Sequence, residues 1–244
     1  MEPSGPRVVS ESEEAALVCA LRDWLGAGAG IAVQPIQAGF TLFPEEERCV
    51  SGAVPKRRKE FATGRYCARR ALLELGYPAG PIPVGEHREP VWPPGVAGSI
   101  THTDETCAAV AVRLEDRGGL GIDLVEVRGA AAILAGAAHL IYSESEGRQA
   151  QSELPPNVPA SAAIFCAKES VIKAASSRAG RFLDFREIYL SFSGPHFQAV
   201  ILPGGWAANG CWRVTGRFLL TLAQCGHGHF RSSWAPTFTP ASAR

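Results

Sequence analysis

Apolar residues Ala16, Leu17, Ala20, Leu21 and Trp24 recur at helical spacing behind Ser10 and Glu13, a pair separated as in a capping box. This predicts a first helix that ends near Leu25, where the glycine-rich run 26–30 begins. A short apolar stretch, Ile31 to Ile36, gives way to the acidic segment FPEEE. Pro55 then opens the strongest helical pattern, KRRKEFATGRYCARRALLELG. Its apolar positions Phe61, Cys67, Ala68, Ala71, Leu72 and Leu75 follow the 3.6-residue period, and Gly76 marks its end.

The next segment, PIPVGEHREPVWPPGV, is too proline-rich for regular helix and reads as an extended surface loop. AGSITHTDETCAAVAVR predicts a turn and a strand, and GLGIDLVEV a second strand after the turn at Gly118 and Gly119. From Ala130 to Gln151 the spacing is helical until ELPPNVP breaks it, and Ser161 to about Ser176 forms the next helix. The last third alternates: REIYLSF, HFQAVIL and CWRVTGRFLLTLA are strand-like, separated by turns such as LPGGW, and RSSWAPTFTPASAR reads as a loosely attached tail. Helices and strands mixed throughout predict an α+β chain. The best seam is the Arg117–Gly119 turn, dividing 1–117 from 118–244.

Composition narrows the function classes. Twenty-four basic and 24 acidic residues cancel, so global charge favours neither nucleic acid nor an acidic partner, and any electrostatic recognition must be local. The seven cysteines contain no CxxC pair and are odd in number, which suits a reducing, cytoplasmic setting better than a disulfide framework. The N-terminus is acidic where a signal peptide is basic, and no apolar run is long enough to span a bilayer.

Against this sparing use of charge, FCAKESVIKA places Lys168, Glu169 and Lys173 on one helix, with Glu169 and Lys173 four apart on a shared face. Such a pair taken alone is an ordinary helix ion pair. Asp123 is more informative, because an ionised carboxylate inside the apolar strand GLGIDLVEV is costly unless paired or bound to metal. Two carboxylates from separate elements suit Mg²⁺ shared with a substrate phosphate, and neighbouring lysines suit phosphate oxygens. In GSITHT, Thr101 and His102 stand at the mouth of a strand with groups able to donate to an anion. The helix from Lys56 to Arg70 adds seven basic residues, which read either as a solvated face or as an anion-binding one. His227 and His229 lack a nearby carboxylate and are read as structural or idle; Cys166 is read as helix packing.

In order along the chain, RRKEFATGRYCARRALLELG, REPVWPPGVAGSITHT, GIDLVEV and FCAKESVIKA resemble the 4′-phosphopantetheinyl transferases of the larger surfactin-synthetase-activating and enterobactin type. The resemblance implies two similar α+β halves related by a pseudo-two-fold axis, with coenzyme A in the cleft between them and a monomer as the working form. It implies Mg²⁺-dependent transfer of the phosphopantetheine arm of coenzyme A to a serine of an acyl or peptidyl carrier protein, releasing adenosine 3′,5′-bisphosphate. Mn²⁺ is the alternative ion. The carriers would belong to polyketide, nonribosomal peptide or fatty-acid synthases.

By the same resemblance, Asp123 and Glu169 hold the metal, and Glu169 helps deprotonate the attacking serine. Lys168 and Lys173 bind phosphate, with Lys173 stabilising the leaving group. Arg57, Arg65, Thr101 and His102 meet the nucleotide phosphates, and Glu89 and Pro90 lie near the adenine. One position departs from the pattern. Many members carry a second carboxylate two residues after the Asp; here Val125 stands there and Glu126 follows it. Strand alternation turns Asp123 and Val125 to one face and Glu126 to the other, so Glu126 is expected outside the metal's inner sphere. A hydrolase of the coenzyme A pyrophosphate and a silent coenzyme A-binding protein are the alternative readings.

Overall fold

The computed structural model describes residues 9–114, 118–202 and 204–226. At its start, helix α1 (Glu11–Leu25) is capped as expected: Glu13 N donates to Ser10 Oγ, and Ser10 N donates to the Glu13 carboxylate at 3.0 Å. Gly26, with φ 78°, ends it. Strand β1 (Gly30–Pro35) follows, then the short helix α2 (Pro44–Val50) and the 20-residue helix α3 (Pro55–Glu74). Strands β2 (Val96–His102) and β3 (Thr106–Arg113) form an antiparallel hairpin, and β1 pairs with β3, giving the order β1-β3-β2. Helix α3 covers one face of this sheet through Cys67, Ala68, Ala71 and Leu72.

The second part begins with β4 (Gly119–Glu126). Three helices follow, α4 (Val127–Gly136), α5 (Ala138–Ile141) and α6 (Glu144–Glu153), and then the 20-residue helix α7 (Ala160–Ala179). Strands β5 (Ile188–Ser193), β6 (His196–Ile201), β7 (Trp206–Thr215) and β8 (Phe218–Cys225) complete an antiparallel sheet of order β4-β8-β7-β6-β5. Each part thus runs strand, long helix, hairpin. In each, the first strand pairs with the second arm of the hairpin that closes the part: β1 with β3, β4 with β8. The second part adds the β5–β6 hairpin at its far edge.

One apolar core joins the two sheets. Leu17 and Leu21 of α1 pack with Val33 and Val110 of the first sheet and with Ile122, Leu220 and Leu222 of the second. Burial of that shared face, at about 25 cal/mol per Å² of apolar surface, is what fixes one sheet against the other.

Three expectations are corrected. AGSITHTDETCAAVAVR is strand, turn, strand, because Thr103 Oγ1 accepts from Glu105 N and Thr106 N and closes a tight turn. The single helix expected over 130–151 is three, with breaks at Ala137 and at Ser143, which caps α6. CWRVTGRFLLTLA is two strands joined by the two-residue turn Gly216–Arg217, where Gly216 has φ 60°. The tail, His227, His229 and Arg117 of the expected seam lie outside the described residues.

Candidate active site

The edge strands β2 and β4 of the two sheets run beside each other without a shared ladder, and buried side chains bridge them instead. Ile122 N donates to Ser99 Oγ at 3.0 Å, and Thr101 Oγ1 donates to Asp123 Oδ1 at 2.9 Å. Close approach of α7 to β4 brings the remaining groups in. A Cβ on Gly119 or Gly121 would meet Ala174 O or Ser170 O at 1.9 Å, so only glycine lets the helix sit this near the strand. Lys173 consequently reaches across the strand, its Nζ 2.7 Å from Asp123 Oδ1 and 3.0 Å from Ile122 O. Two of its three N–H groups are engaged by these bonds, and the third is left for a ligand.

Above this seam lies a cavity of about 890 Å³ lined by both parts of the chain. Asp123, Glu169 and Lys173 line one region, together with Val125. Burial, then the neighbouring Asp123 charge, push the Glu169 carboxyl above the ordinary glutamate value, with Lys173 opposing them. Its oxygens receive no hydrogen bond from the described residues. Burial works against the Lys173 ammonium, but Asp123 and Glu169 outweigh it and hold its pKa above the usual lysine value. A hard divalent cation fits this donor set: two carboxylates from different elements, one of them without a donor, and free space beside them.

Arg57, Arg65 and His102 also line the cavity. Arg57 Nη1 lies 3.2 Å from His102 Nε2 and 3.4 Å from a carboxylate oxygen of Glu60. Arg65 is only 6% exposed, and its Nε has no hydrogen-bond partner. Its guanidinium carbon sits 4.4 Å from the centre of the Phe61 ring. Burial lowers its pKa to about 10 despite the Glu46 charge nearby. The unmet Nε is enclosed by protein while the side chain also lines the cavity, so an anion there would meet a buried cation.

The structure separates the sequence candidates. It brings Asp123, Glu169, Lys173, Arg57, Arg65 and His102 to one cavity, but not Lys168. That side chain is fully buried behind α7, with Nζ 3.0 Å from Glu146 Oε1 and 2.9 Å from both Ile141 O and Phe185 O. The expectation that Lys168 meets phosphate is corrected, because all its donors are taken on the far side of the helix. Thr101 also differs from its reading as an anion donor, since its hydroxyl proton goes to Asp123. Glu89 turns its carboxylate into its own loop, accepting from His87 N at 2.9 Å in the space a Gly85 side chain would fill, while Pro90 bridges to Val84. Glu126 faces away and pairs with Arg217 at 3.4 Å, as strand alternation requires. Cys166 is buried against Leu219 O and Thr221, and burial raises its thiol pKa well above the usual value.

Glu60, Arg181 and Phe182 also line the cavity and were missed. Glu60 was legible as the acid one turn after Arg57. The other two come from the segment after α7, whose path no local pattern gives.

Comparison with known proteins agrees with this geometry. Residues 45–112 match the family model of the 4′-phosphopantetheinyl transferase N-terminal domain, and residues 119–222 that of the 4′-phosphopantetheinyl transferase superfamily. The chain is 41% identical over 166 residues to the 4′-phosphopantetheinyl transferase Svp of Streptomyces mobaraensis, covering 67% of each chain. It is 32% identical over 207 residues to Npt of Nocardia iowensis, covering 73% of this chain and 86% of that one. Enterobactin synthase component D of Escherichia coli O157:H7 is 32% identical over 170 residues, with 69% and 78% covered. The chain belongs to the 4′-phosphopantetheinyl transferase superfamily and is a transferase, as its motifs led us to expect. The family takes coenzyme A as substrate and is generally dependent on a divalent metal. Among the described residues no helix is long and apolar enough to cross a membrane.

Proposed function

We propose that this enzyme converts apo carrier proteins to their holo form. The serine hydroxyl oxygen of the carrier attacks the pyrophosphate phosphorus that bears the pantetheine arm. The bond from that phosphorus to the bridging oxygen breaks, adenosine 3′,5′-bisphosphate leaves with the bridging oxygen, and the serine proton passes to Glu169, directly or through a water. Asp123 and Glu169 would hold Mg²⁺, with Mn²⁺ as the alternative, and that ion would supply neutralisation of pyrophosphate charge. Lys173 uses its remaining N–H on the departing phosphate, and Thr101 holds Asp123 in place. Arg57, Arg65 and His102 take the nucleotide phosphates, while the Glu89–Pro90 loop walls the adenine side.

The observation that carries this reading is the pairing, within one cavity, of a two-carboxylate and lysine cluster with a buried Arg65 whose Nε is unpartnered. Repetition of strand, long helix and hairpin supports two halves, 1–117 and 118–244, related by a pseudo-two-fold axis. Each half also buries an ion pair between a short helix and its long one: Glu46 with Arg69 at 2.8 Å, Glu146 with Lys168 at 3.0 Å. A chain with both halves has a whole cleft, so we take the monomer as the working form. Its free cysteines suit the cytoplasm. Carriers of polyketide, nonribosomal peptide and fatty-acid synthases are the candidate partners.

Intact-mass spectrometry tests this with apo carrier protein, coenzyme A and Mg²⁺. A gain of about 340 Da on the carrier, the mass of the transferred arm, is expected and should be absent with Asp123→Ala and Glu169→Ala. Release of adenosine bisphosphate without any carrier would overturn the reading in favour of hydrolysis.

A further inference from the structure

Two of the seven cysteines are exposed, Cys19 on α1 and Cys49 on α2, and the other five are buried. Only Cys49 of the two lines the cavity. Its one hydrogen bond among the described residues is a weak one, Sγ donating to Glu45 O at 3.4 Å, so the sulfur is held loosely. An exposed thiol alone means little. What distinguishes this one is Arg65 in the same cavity, 94% buried by its 6% exposure, with Nε unpartnered. That guanidinium awaits an anion, and Arg57 adds a second positive charge to the cavity. Cys49 and Arg65 line the same cavity, Cys49 from α2 and Arg65 from α3, which puts thiol and guanidinium within one enclosed space.

We propose that Cys49 is a modification site that captures anionic low-molecular-weight disulfides, and that the captured group blocks the nucleotide pocket. The Cys49 thiolate attacks one sulfur of the disulfide, a mixed disulfide forms, and the other half leaves as its thiolate. The incoming disulfide is the oxidant, and no further reactant is needed. Arg65 and Arg57 draw the anion in, and once attached it occupies the space that adenosine 3′,5′-bisphosphate would fill. An added thiol reverses the block. This inference rests on the cavity being the coenzyme A pocket.

The test uses the full chain and two reagents, the dianionic aromatic disulfide 5,5′-dithiobis(2-nitrobenzoate) and the uncharged 2,2′-dithiodipyridine, with peptide mass mapping of Cys49 against Cys19. The anionic reagent should label Cys49 about tenfold faster than Cys19, and this preference should narrow with the neutral one. Adenosine 3′,5′-bisphosphate, which carries no thiol to interfere, should protect Cys49 and leave Cys19 unchanged. Loss of carrier modification should track Cys49 labelling, return with added thiol, and be absent in Cys49→Ser. Equal labelling of the two thiols by the anionic reagent, or full activity after Cys49 is labelled, overturns the inference. Calorimetry with the bisphosphate keeps the two readings apart. No binding would defeat the pocket assignment, whereas binding that leaves Cys49 unprotected would defeat only the capture site.

Discussion

Lys173 Nζ and Thr101 Oγ1 converge on one oxygen of Asp123, Oδ1, at 2.7 and 2.9 Å. The strand carboxylate is therefore oriented by a helix of its own half and a strand of the other. Lys173→Met removes both the charge that offsets Asp123 and Glu169 and the donor to the leaving phosphate. Carrier modification should fall by about 10²–10³ in kcat/KM. Thr101→Val removes only the orienting hydrogen bond, so a loss of about 10–100-fold in metal affinity is expected, read as the Mg²⁺ concentration for half-maximal rate. Equal effects of the two changes would sink this division of labour.

Lys168, by contrast, should matter for folding. With its partner removed, the Glu146 carboxylate would be left buried beside Leu190 N, which donates to it at 3.0 Å, without its compensating cation. Lys168→Met should cost about 3–5 kcal/mol in urea unfolding, and adding Glu146→Gln should recover a large part of that. Affinity of the folded protein for adenosine 3′,5′-bisphosphate should stay within about twofold, since no Lys168 donor faces the cavity. A large drop in affinity in the folded variant would restore the phosphate-binding role.

The contrast between these two lysines shows what the sequence can and cannot disclose. Glu169 and Lys173 are one turn apart, so their shared face follows from helical period alone, and Asp123 stands out because its neighbours are apolar. The outward turn of Glu126 follows in the same way from strand alternation. Lys168 is adjacent to Glu169 in sequence but about 100° around the helix, and its partner belongs to α6. Nothing in the motif points to Glu146, whose capping box with Ser143 looks purely local. The break at Ala137 was likewise hidden, since the surrounding AAILAGAAHLI favours helix on both sides of it. Phe61, one turn before Arg65 on α3, was legible as its neighbour, but the burial of Arg65 was not, because α2 is placed against α3 by tertiary packing.

Arg65 predicts opposite effects on stability and binding. Its Nε is buried without a hydrogen-bond partner, and burial has already lowered its pKa to about 10. Arg65→Met keeps much of the contact with Phe61 and removes the buried charge, so the ligand-free protein should melt higher. Affinity for adenosine 3′,5′-bisphosphate should drop by at least about tenfold by calorimetry. A variant that melts lower and binds normally would make Arg65 a structural residue.

Glu169 gives a metal-dependent prediction whose sign follows from its raised pKa. Because the folded state holds this proton more tightly than the unfolded chain, the associated stability is complete below the ordinary glutamate pKa of 4.5. It is lost as pH rises through the raised value. At neutral pH the chelator-stripped protein therefore carries an unfavourable buried carboxylate, and Glu169→Gln should raise its melting temperature. Added Mg²⁺ should then raise the wild-type melting temperature and leave that of the variant nearly unchanged. Equal stabilisation of both by Mg²⁺ would remove Glu169 from the metal site.

Gly121 ties the fold to the chemistry most directly. A Cβ there would lie 1.9 Å from Ser170 O and 2.7 Å from Ala174 N, both backbone atoms of α7, so no side chain can move aside to admit it. Gly121→Ala must push β4 and α7 apart, at a cost of about 1–3 kcal/mol by analogy with overpacked cores. Two residues along the strand is Asp123, and α7 carries Glu169 and Lys173, so the same displacement separates the carboxylates and stretches the 2.7 Å ion pair. The variant should accordingly lose transfer well beyond the fraction unfolded, with a shortfall of about 10²-fold in kcat for the folded protein. Gly28→Ala, in a turn where a Cβ meets nothing within 4 Å, should stay within about 0.5 kcal/mol of wild type and keep full activity. If Gly121→Ala transfers normally in its folded fraction, the spacing of β4 and α7 is not what sets the site, and the carboxylates must be held by other contacts.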